Sequence, residues 1–144
     1  MAMSISDRLK AGILSRSAEE TQSLAREVAA ILPPDAVIAL HGDLGVGKTT
    51  FVQGLAKAFG IEGPVQSPTF TIYTLHQGSR LLVHMDAYRL SSAAQMDTLL
   101  VEDFLKEPYC LAIEWPERIA AWIPIEAWHL DLGIESGGHR LTLR

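Results

Sequence analysis

One eight-residue segment, GDLGVGKT at residues 42 to 49, constrains the fold of this chain more than any other. It matches the spacing G-x-x-x-x-G-K-[ST], in which backbone N–H groups, a lysine and a hydroxyl surround a chain of phosphates. Glycines stand at positions 42, 45 and 47, where a side chain would keep a phosphate away from the backbone. The apolar run AVIAL precedes the segment and an amphipathic pattern follows it. The sequence therefore predicts a phosphate-binding loop between a buried strand and a helix.

Composition favours one domain over residues 1 to 144 that needs neither a disulfide nor a structural metal. Hydrophobic residues make up 48% of the chain and charged residues 20%, and the net charge is −5. This charge disfavours a broad nucleic-acid-binding face. The one cysteine, Cys110, lies in an apolar run and is expected in the core. Since no signal-peptide pattern or membrane-spanning run appears, we expect a cytoplasmic protein without a membrane contact.

Strand-like and helix-like patterns alternate along the chain. Leu24, Val28 and Ile31 recur at helical spacing after Ser17, which begins an S-x-x-E capping pattern. The helix after the phosphate loop is expected to end at Gly60. Later patterns predict a hairpin turning at residues 77–79, a helical segment over 91–107, a buried strand over 109–115, a short helix over 116–123 and a closing hairpin over 127–144. Together they predict an α/β P-loop NTPase fold of three layers, with a mixed, mostly parallel sheet and antiparallel additions.

The residues of the loop indicate which chemistry it supports. Lys48 is expected to reach the β- and γ-phosphates, and the Thr49 hydroxyl to ligate Mg²⁺. Asp43 would repel phosphate, so its side chain is expected to point away from it. The chain contains no asparagine and therefore no N-K-x-D guanine-binding segment, which favours ATP over GTP. The arginines are dispersed and no lid segment is evident, which favours hydrolysis or nucleotide-gated binding over phosphotransfer.

Two acids at strand ends are candidates for the Mg²⁺ site. Glu114 ends the apolar run CLAIE, and Asp86 ends LLVHMD. The first pattern is the commoner form of the second nucleotide-binding motif, so Glu114 is the better ligand candidate. Asp86 is alternatively a helix cap or an ion-pair partner of Arg89. His84 shares a strand face with Asp86 and is either a proton relay or a core histidine.

Four further residues near these acids have weaker assignments. Tyr88 and Trp115 are more typical of packing than of catalysis. Arg89 could act as an arginine finger, a role that a partner could fill instead. Thr69, in the segment SPTF, lies either in a plain turn or in a loop that senses the γ-phosphate.

The segments GDLGVGKTT, SPTFTIY, HMDAYRL and IEWPE, in this order, resemble the TsaE family, also called YjeE. The resemblance covers roughly residues 17 to 144. It implies a P-loop ATPase that binds ATP with Mg²⁺ and hydrolyses it slowly. It also implies action with TsaD and TsaB, which transfer a threonylcarbamoyl group to adenosine 37 of tRNA. Contact with tRNA would be indirect, through that complex.

The resemblance also implies roles for individual residues. Thr49 and Glu114 would be Mg²⁺ ligands, Asp86 a second acid needed for hydrolysis, and Thr69 a switch residue. Residues expected to contact ATP are Gly42, Asp43, Leu44, Gly45, Val46, Gly47, Lys48, Thr49 and Thr50 in the loop, with Ser17, Gly138 and Arg140 toward the adenine. Residues expected near the site are His84, Tyr88, Arg89 and Trp115. A small-molecule kinase and a nucleotide-gated binding module with little hydrolysis stay open as alternatives.

Overall fold

A mixed seven-stranded sheet organises the described part of the protein, which in this computed structural model is residues 3–43, 45–66, 68 and 71–144. The strands are β1 (Ile13–Ser15), β2 (Asp35–His41), β3 (Tyr73–Gln77), β4 (Leu81–Asp86), β5 (Tyr109–Glu114), β6 (Trp128–Glu135) and β7 (Gly138–Leu143). The α-helices are α1 (Ile5–Ala11), α2 (Ala18–Ala29), α3 (Lys48–Ala58) and α4 (Met96–Leu99). Short 3₁₀ turns span Ala93–Gln95, Val101–Phe104 and Pro116–Trp122.

The strand order is β1-β7-β6-β2-β5-β4-β3. Strands β6, β2, β5 and β4 pair in parallel, and the hairpins β3–β4 and β6–β7 and the strand β1 add antiparallel pairs. The predicted mixed α/β sheet is therefore confirmed. Strand β2 lies between β6 and β5, so the loop that follows it opens at the carboxyl edge of the parallel strands, where α/β folds bind ligands.

Helical layers cover both faces of the sheet. On one face, Leu82 and Cys110 pack in a core that includes buried residues of α2 and α3, such as Leu24 and Phe51. On the other face, residues of β4 and β5 pack against Met96, Val101 and Ile119 from the short helical turns. Because the central strands are buried on both faces, their sequences are nearly continuous apolar runs.

The helix ends agree with the sequence patterns. The Ser17 hydroxyl accepts a hydrogen bond from the Glu20 backbone N–H at 3.1 Å, which caps α2. The Glu20 carboxylate reaches back to the Arg16 N–H at 2.8 Å. Gly60, with φ of 70°, follows the C-cap of α3, a left-handed position that glycine adopts without strain.

Two parts of the fold differ from the sequence expectation. Helix α1 and strand β1 were not predicted, because the helix has two buried residues and the strand only three residues. The segment expected as one helix over 91–107 consists of short helical turns interrupted at Leu100, which has φ of 55°. This left-handed residue leaves Leu100 exposed while the next residue, Val101, is buried. Burial of Val101 thus takes precedence over helix continuity.

The buried thiol of Cys110 gives a testable property of this core. Burial raises the pKa of Cys110 to about 12, against an opposing effect of Arg80. Because the thiolate is the reactive form, we expect the folded protein to react with a chromogenic disulfide at pH 8 at least about a hundredfold more slowly than the urea-unfolded chain. Equal rates in the two states would place Cys110 outside the core.

No helix within the described ranges is long and apolar enough to cross a membrane.

Candidate active site

A cavity of about 340 Å³ opens at the carboxyl edge of the parallel strands. The loop after β2, the start of α3 and the ends of β4 and β5 supply most of its walls. Its lining residues are Gly45, Gly47, Lys48, Thr49, Thr50, Asp86, Glu114, Trp115 and His139. Distant segments of the sequence therefore meet in one cavity.

The glycines of the loop set its shape. Gly45 and Gly47 have φ values of 81° and 98°, a left-handed region that favours glycine. A Cβ atom on Gly42 would lie 2.5 Å from the Leu132 carbonyl oxygen, so this position is closed to any other residue. The Val46 side chain is buried in the core and anchors the loop from below. Backbone N–H groups at the start of α3 can then face an anion in the cavity.

Lys48 begins α3 and is 4% exposed. Its ammonium group donates a hydrogen bond to the Gly42 carbonyl oxygen at 2.5 Å and lies 3.9 Å from the centroid of the Trp115 ring. Burial lowers the pKa of Lys48, and the charges of Glu114 and Glu117 oppose that effect. The lysine is thus a desolvated cation at the cavity, which makes it a strong partner for phosphate.

Glu114, the last residue of β5, is 5% exposed and accepts two hydrogen bonds on one oxygen. The donors to Oε2 are His84 Nε2 at 2.6 Å and the Thr49 hydroxyl at 3.2 Å. Burial acts to raise the pKa of Glu114, but the His84 hydrogen bond and the nearby Lys48 charge outweigh it, so that the pKa is lowered. The carboxylate is therefore charged at neutral pH.

Asp86 lies beside Glu114, because the two residues are register partners of the parallel strands β4 and β5. Its Oδ1 accepts a hydrogen bond from the Tyr88 backbone N–H at 2.9 Å. Asp86 is partly buried, so it is closer to solvent than Glu114. The two predicted acids thus line the same cavity in different environments.

The donors of this cavity fit Mg²⁺. A hydroxyl from Thr49 and a carboxylate from Glu114 are the oxygen ligands that Mg²⁺ prefers. In the described part of the chain, no group of three or more histidine, cysteine, aspartate or glutamate side chains is arranged to hold a metal ion. Mg²⁺ is usually held by one or two protein carboxylates together with waters and substrate phosphates.

An aromatic pair borders the cavity. Trp115 has φ of 58° and ψ of 49°, a left-handed conformation that turns the chain directly after Glu114. The Tyr88 ring lies 5.0 Å from the Trp115 ring, centroid to centroid, and the Arg118 guanidinium lies 5.2 Å from the Tyr88 ring. Arg89 is exposed and is not among the cavity-lining residues.

Several residues predicted to contact the nucleotide lie outside the cavity lining. Asp43 is exposed. Ser17 caps α2, and Arg140 donates a hydrogen bond to Glu135 at 2.6 Å. Gly138 packs closely against the Ser15 carbonyl. The predictions for Leu44 and Thr69 fall on residues outside the described ones.

Sequence reasoning missed His139, which lines the cavity. A Cβ atom on Gly47 would lie 3.9 Å from its Nδ1, so the imidazole lies against the phosphate-binding loop. It is one of five histidines and belongs to no motif. The only available signal was its position between Gly138 and Arg140, the two residues expected toward the adenine.

Comparisons with known proteins agree with one another. The family model described as "Threonylcarbamoyl adenosine biosynthesis protein TsaE" matches residues 15–141. The tRNA threonylcarbamoyladenosine biosynthesis protein TsaE of Treponema pallidum is 35% identical over 127 residues, which cover 88% of this chain and 94% of the relative. The protein of the same name from Bacillus subtilis is 43% identical over 121 residues, 83% of this chain and 74% of the relative. The crystal structure of Bacillus subtilis YdiB matches with a TM-score of 0.75 and 33% identity, covering 92% of this chain and 82% of that one.

Proposed function

The chain belongs to the TsaE family of threonylcarbamoyladenosine biosynthesis proteins, and on that premise we propose that it binds ATP with Mg²⁺ and hydrolyses it slowly. Its activity would support formation of N6-threonylcarbamoyladenosine at position 37 of tRNA, in a complex with TsaD and TsaB. The observation that carries the proposal is the convergence of Lys48, Thr49 and Glu114 on one cavity beside the glycine loop.

The loop and Lys48 would bind the phosphates. The start of α3 offers backbone N–H groups, and the Lys48 ammonium group would exchange the Gly42 carbonyl and the Trp115 ring for phosphate oxygens. This exchange is favourable because a buried ammonium interacts more strongly with an anion than with a neutral carbonyl. Lys48 would thus already lie at the phosphate position before ATP binds.

Thr49 and Glu114 would hold Mg²⁺, which supplies positive charge against the phosphates when bound. Thr49 would turn its hydroxyl oxygen from Glu114 toward the cation. Asp86, next to Glu114 and closer to solvent, would orient a water molecule. The two acids would then have different tasks, one in binding and one in turnover.

Slow turnover and dependence on partners fit a cavity without an arginine among its described lining residues. The described lining contains no arginine. An arginine finger can increase phosphoryl transfer by about 10³ to 10⁵. A partner subunit could supply such a group, and tRNA would then be reached through that subunit, in keeping with the net charge of −5.

Phosphate release from labelled ATP tests the proposal. We expect slow release by the protein with Mg²⁺, and faster release when purified TsaB and TsaD are added, because a partner would complete the site. A small-molecule kinase would instead form ADP only with a small acceptor, which would refute the proposal. Bound ATP with undetectable release, even with both partners, would favour a nucleotide-gated binding module.

A further inference from the structure

A buried polar pair joins the core to the candidate active site. His84 on β4 is fully buried, and its Nε2 lies 2.6 Å from Oε2 of Glu114. We propose that His84 is a positioning residue that holds the Glu114 carboxylate in the orientation that binds Mg²⁺. This inference rests on the proposed function, in which Glu114 is a Mg²⁺ ligand.

The strand register explains how the two side chains meet. His84 is the register partner of Ala112, and Asp86 is that of Glu114. Partners in neighbouring strands direct their side chains to the same face, as do residues two apart in one strand. Ala112 has no side-chain atom beyond Cβ, so the imidazole has room to extend past it toward Glu114.

The histidine is the fixed member of the pair. Strand β4 is paired on both sides, with β3 and β5, and the His84 ring has no exposed surface. Glu114 ends its strand and has three rotatable side-chain bonds, so without a partner its carboxylate could take several orientations. The hydrogen bond from His84 selects one of them.

Under the proposed function, cation binding would break one of the two hydrogen bonds to Oε2 of Glu114 and leave the other intact. The Thr49 hydroxyl, at 3.2 Å, would be given up when Thr49 binds the cation. The His84 bond, at 2.6 Å, lies in the core and can persist. Hydrogen-bond partners that orient a metal ligand typically contribute about 10- to 100-fold to metal affinity.

A purely structural role does not account for the ring's polar contacts. A carboxylate only accepts, so His84 donates from Nε2. Its other nitrogen, Nδ1, is buried and has no hydrogen-bond partner within the described residues. A core histidine retained for stability alone would be expected to satisfy both nitrogens. Here the described polar contact of the ring is with the predicted metal ligand.

Mg²⁺-dependent nucleotide binding tests the proposal. The dissociation constant of a fluorescent ATP analogue is measured with Mg²⁺ and with EDTA for the wild type, His84→Gln, His84→Asn and His84→Leu. The glutamine amide nitrogen can take the place of Nε2, whereas the shorter asparagine amide takes that of Nδ1. A matched control is His76→Leu, which removes a histidine from the same sheet face on β3, away from Glu114.

In the wild type, Mg²⁺ should lower the dissociation constant of the ATP analogue relative to EDTA. We expect this ratio to be about 10- to 100-fold smaller in His84→Leu and His84→Asn, while the dissociation constant in EDTA stays unchanged. His84→Gln and His76→Leu should retain the wild-type ratio. The proposal is wrong if His84→Asn matches His84→Gln, or if the folded variants weaken equally with Mg²⁺ and with EDTA. If the leucine variant does not fold, the two amide variants decide. A wild type whose binding ignores Mg²⁺ would refute the proposed function itself.

Discussion

Replacing Lys48 with methionine is expected to weaken ATP binding by about 30-fold to several thousandfold, because loss of one partner of a buried charge pair costs about 2–5 kcal/mol. Methionine keeps the length of the apolar stem and removes only the ammonium group. In the protein without ligand, the Lys48 ammonium group contacts other parts of the same chain, namely the Gly42 carbonyl and the Trp115 ring. Titration with a fluorescent ATP analogue gives the dissociation constant.

The same substitution separates a binding role from a structural one. Burial lowers the pKa of Lys48, which means that desolvation of its ammonium group makes the free energy of unfolding smaller. We therefore expect Lys48→Met to unfold in urea at a concentration no lower than the wild type. Lys57→Met is the matched control, because Lys57 lies on the same helix but is exposed. If Lys48→Met keeps its affinity within about threefold, the phosphate-binding assignment is wrong.

The local parts of the site could be predicted from the sequence. The phosphate loop needs glycines, a lysine and a hydroxyl at fixed spacing, and its flanking strand and helix are adjacent in the chain. The two acids were predictable for a related reason: Asp86 and Glu114 each end an apolar strand, and parallel strands end at the same edge. A core position was one of two alternatives for His84, but its contact with Glu114 was not predicted.

Features that depend on pairing between distant segments could not be predicted. His139 reaches the loop because β7 pairs with β6, which lies beside β2, and no local pattern reports that order. Strand β1 has only three residues and gains its hydrogen bonds from β7. The contact between Lys48 and Trp115 likewise needs the left-handed backbone of Trp115, which is rare outside glycine and carries no sequence signal.

Replacing Asp86 with asparagine is expected to lower ATP turnover by about 10² to 10⁴, the usual contribution of a group that takes or directs a proton. Asparagine keeps an oxygen that can accept the Tyr88 N–H, so the turn after β4 should persist. Because Asp86 is closer to solvent than Glu114, its charge matters less to the buried Lys48. ATP affinity should therefore change little. Single-turnover hydrolysis of labelled ATP, with TsaB and TsaD present, measures the rate.

Glu114→Gln is the informative comparison, since it also replaces one acid oxygen at the same edge of the sheet. It removes the charge next to Lys48 and weakens the acceptor for His84 and Thr49. Its main effect should be on Mg²⁺-dependent ATP binding, by at least the about 10- to 100-fold that loss of a ligand's orienting partner typically costs. Equal losses of binding in the two variants would mean that both acids hold the cation. A loss of turnover in Asp86→Asn at unchanged ATP affinity, beside a loss of binding in Glu114→Gln, would instead show that neighbouring register partners divide hydrolysis and binding between a partly exposed and a buried carboxylate.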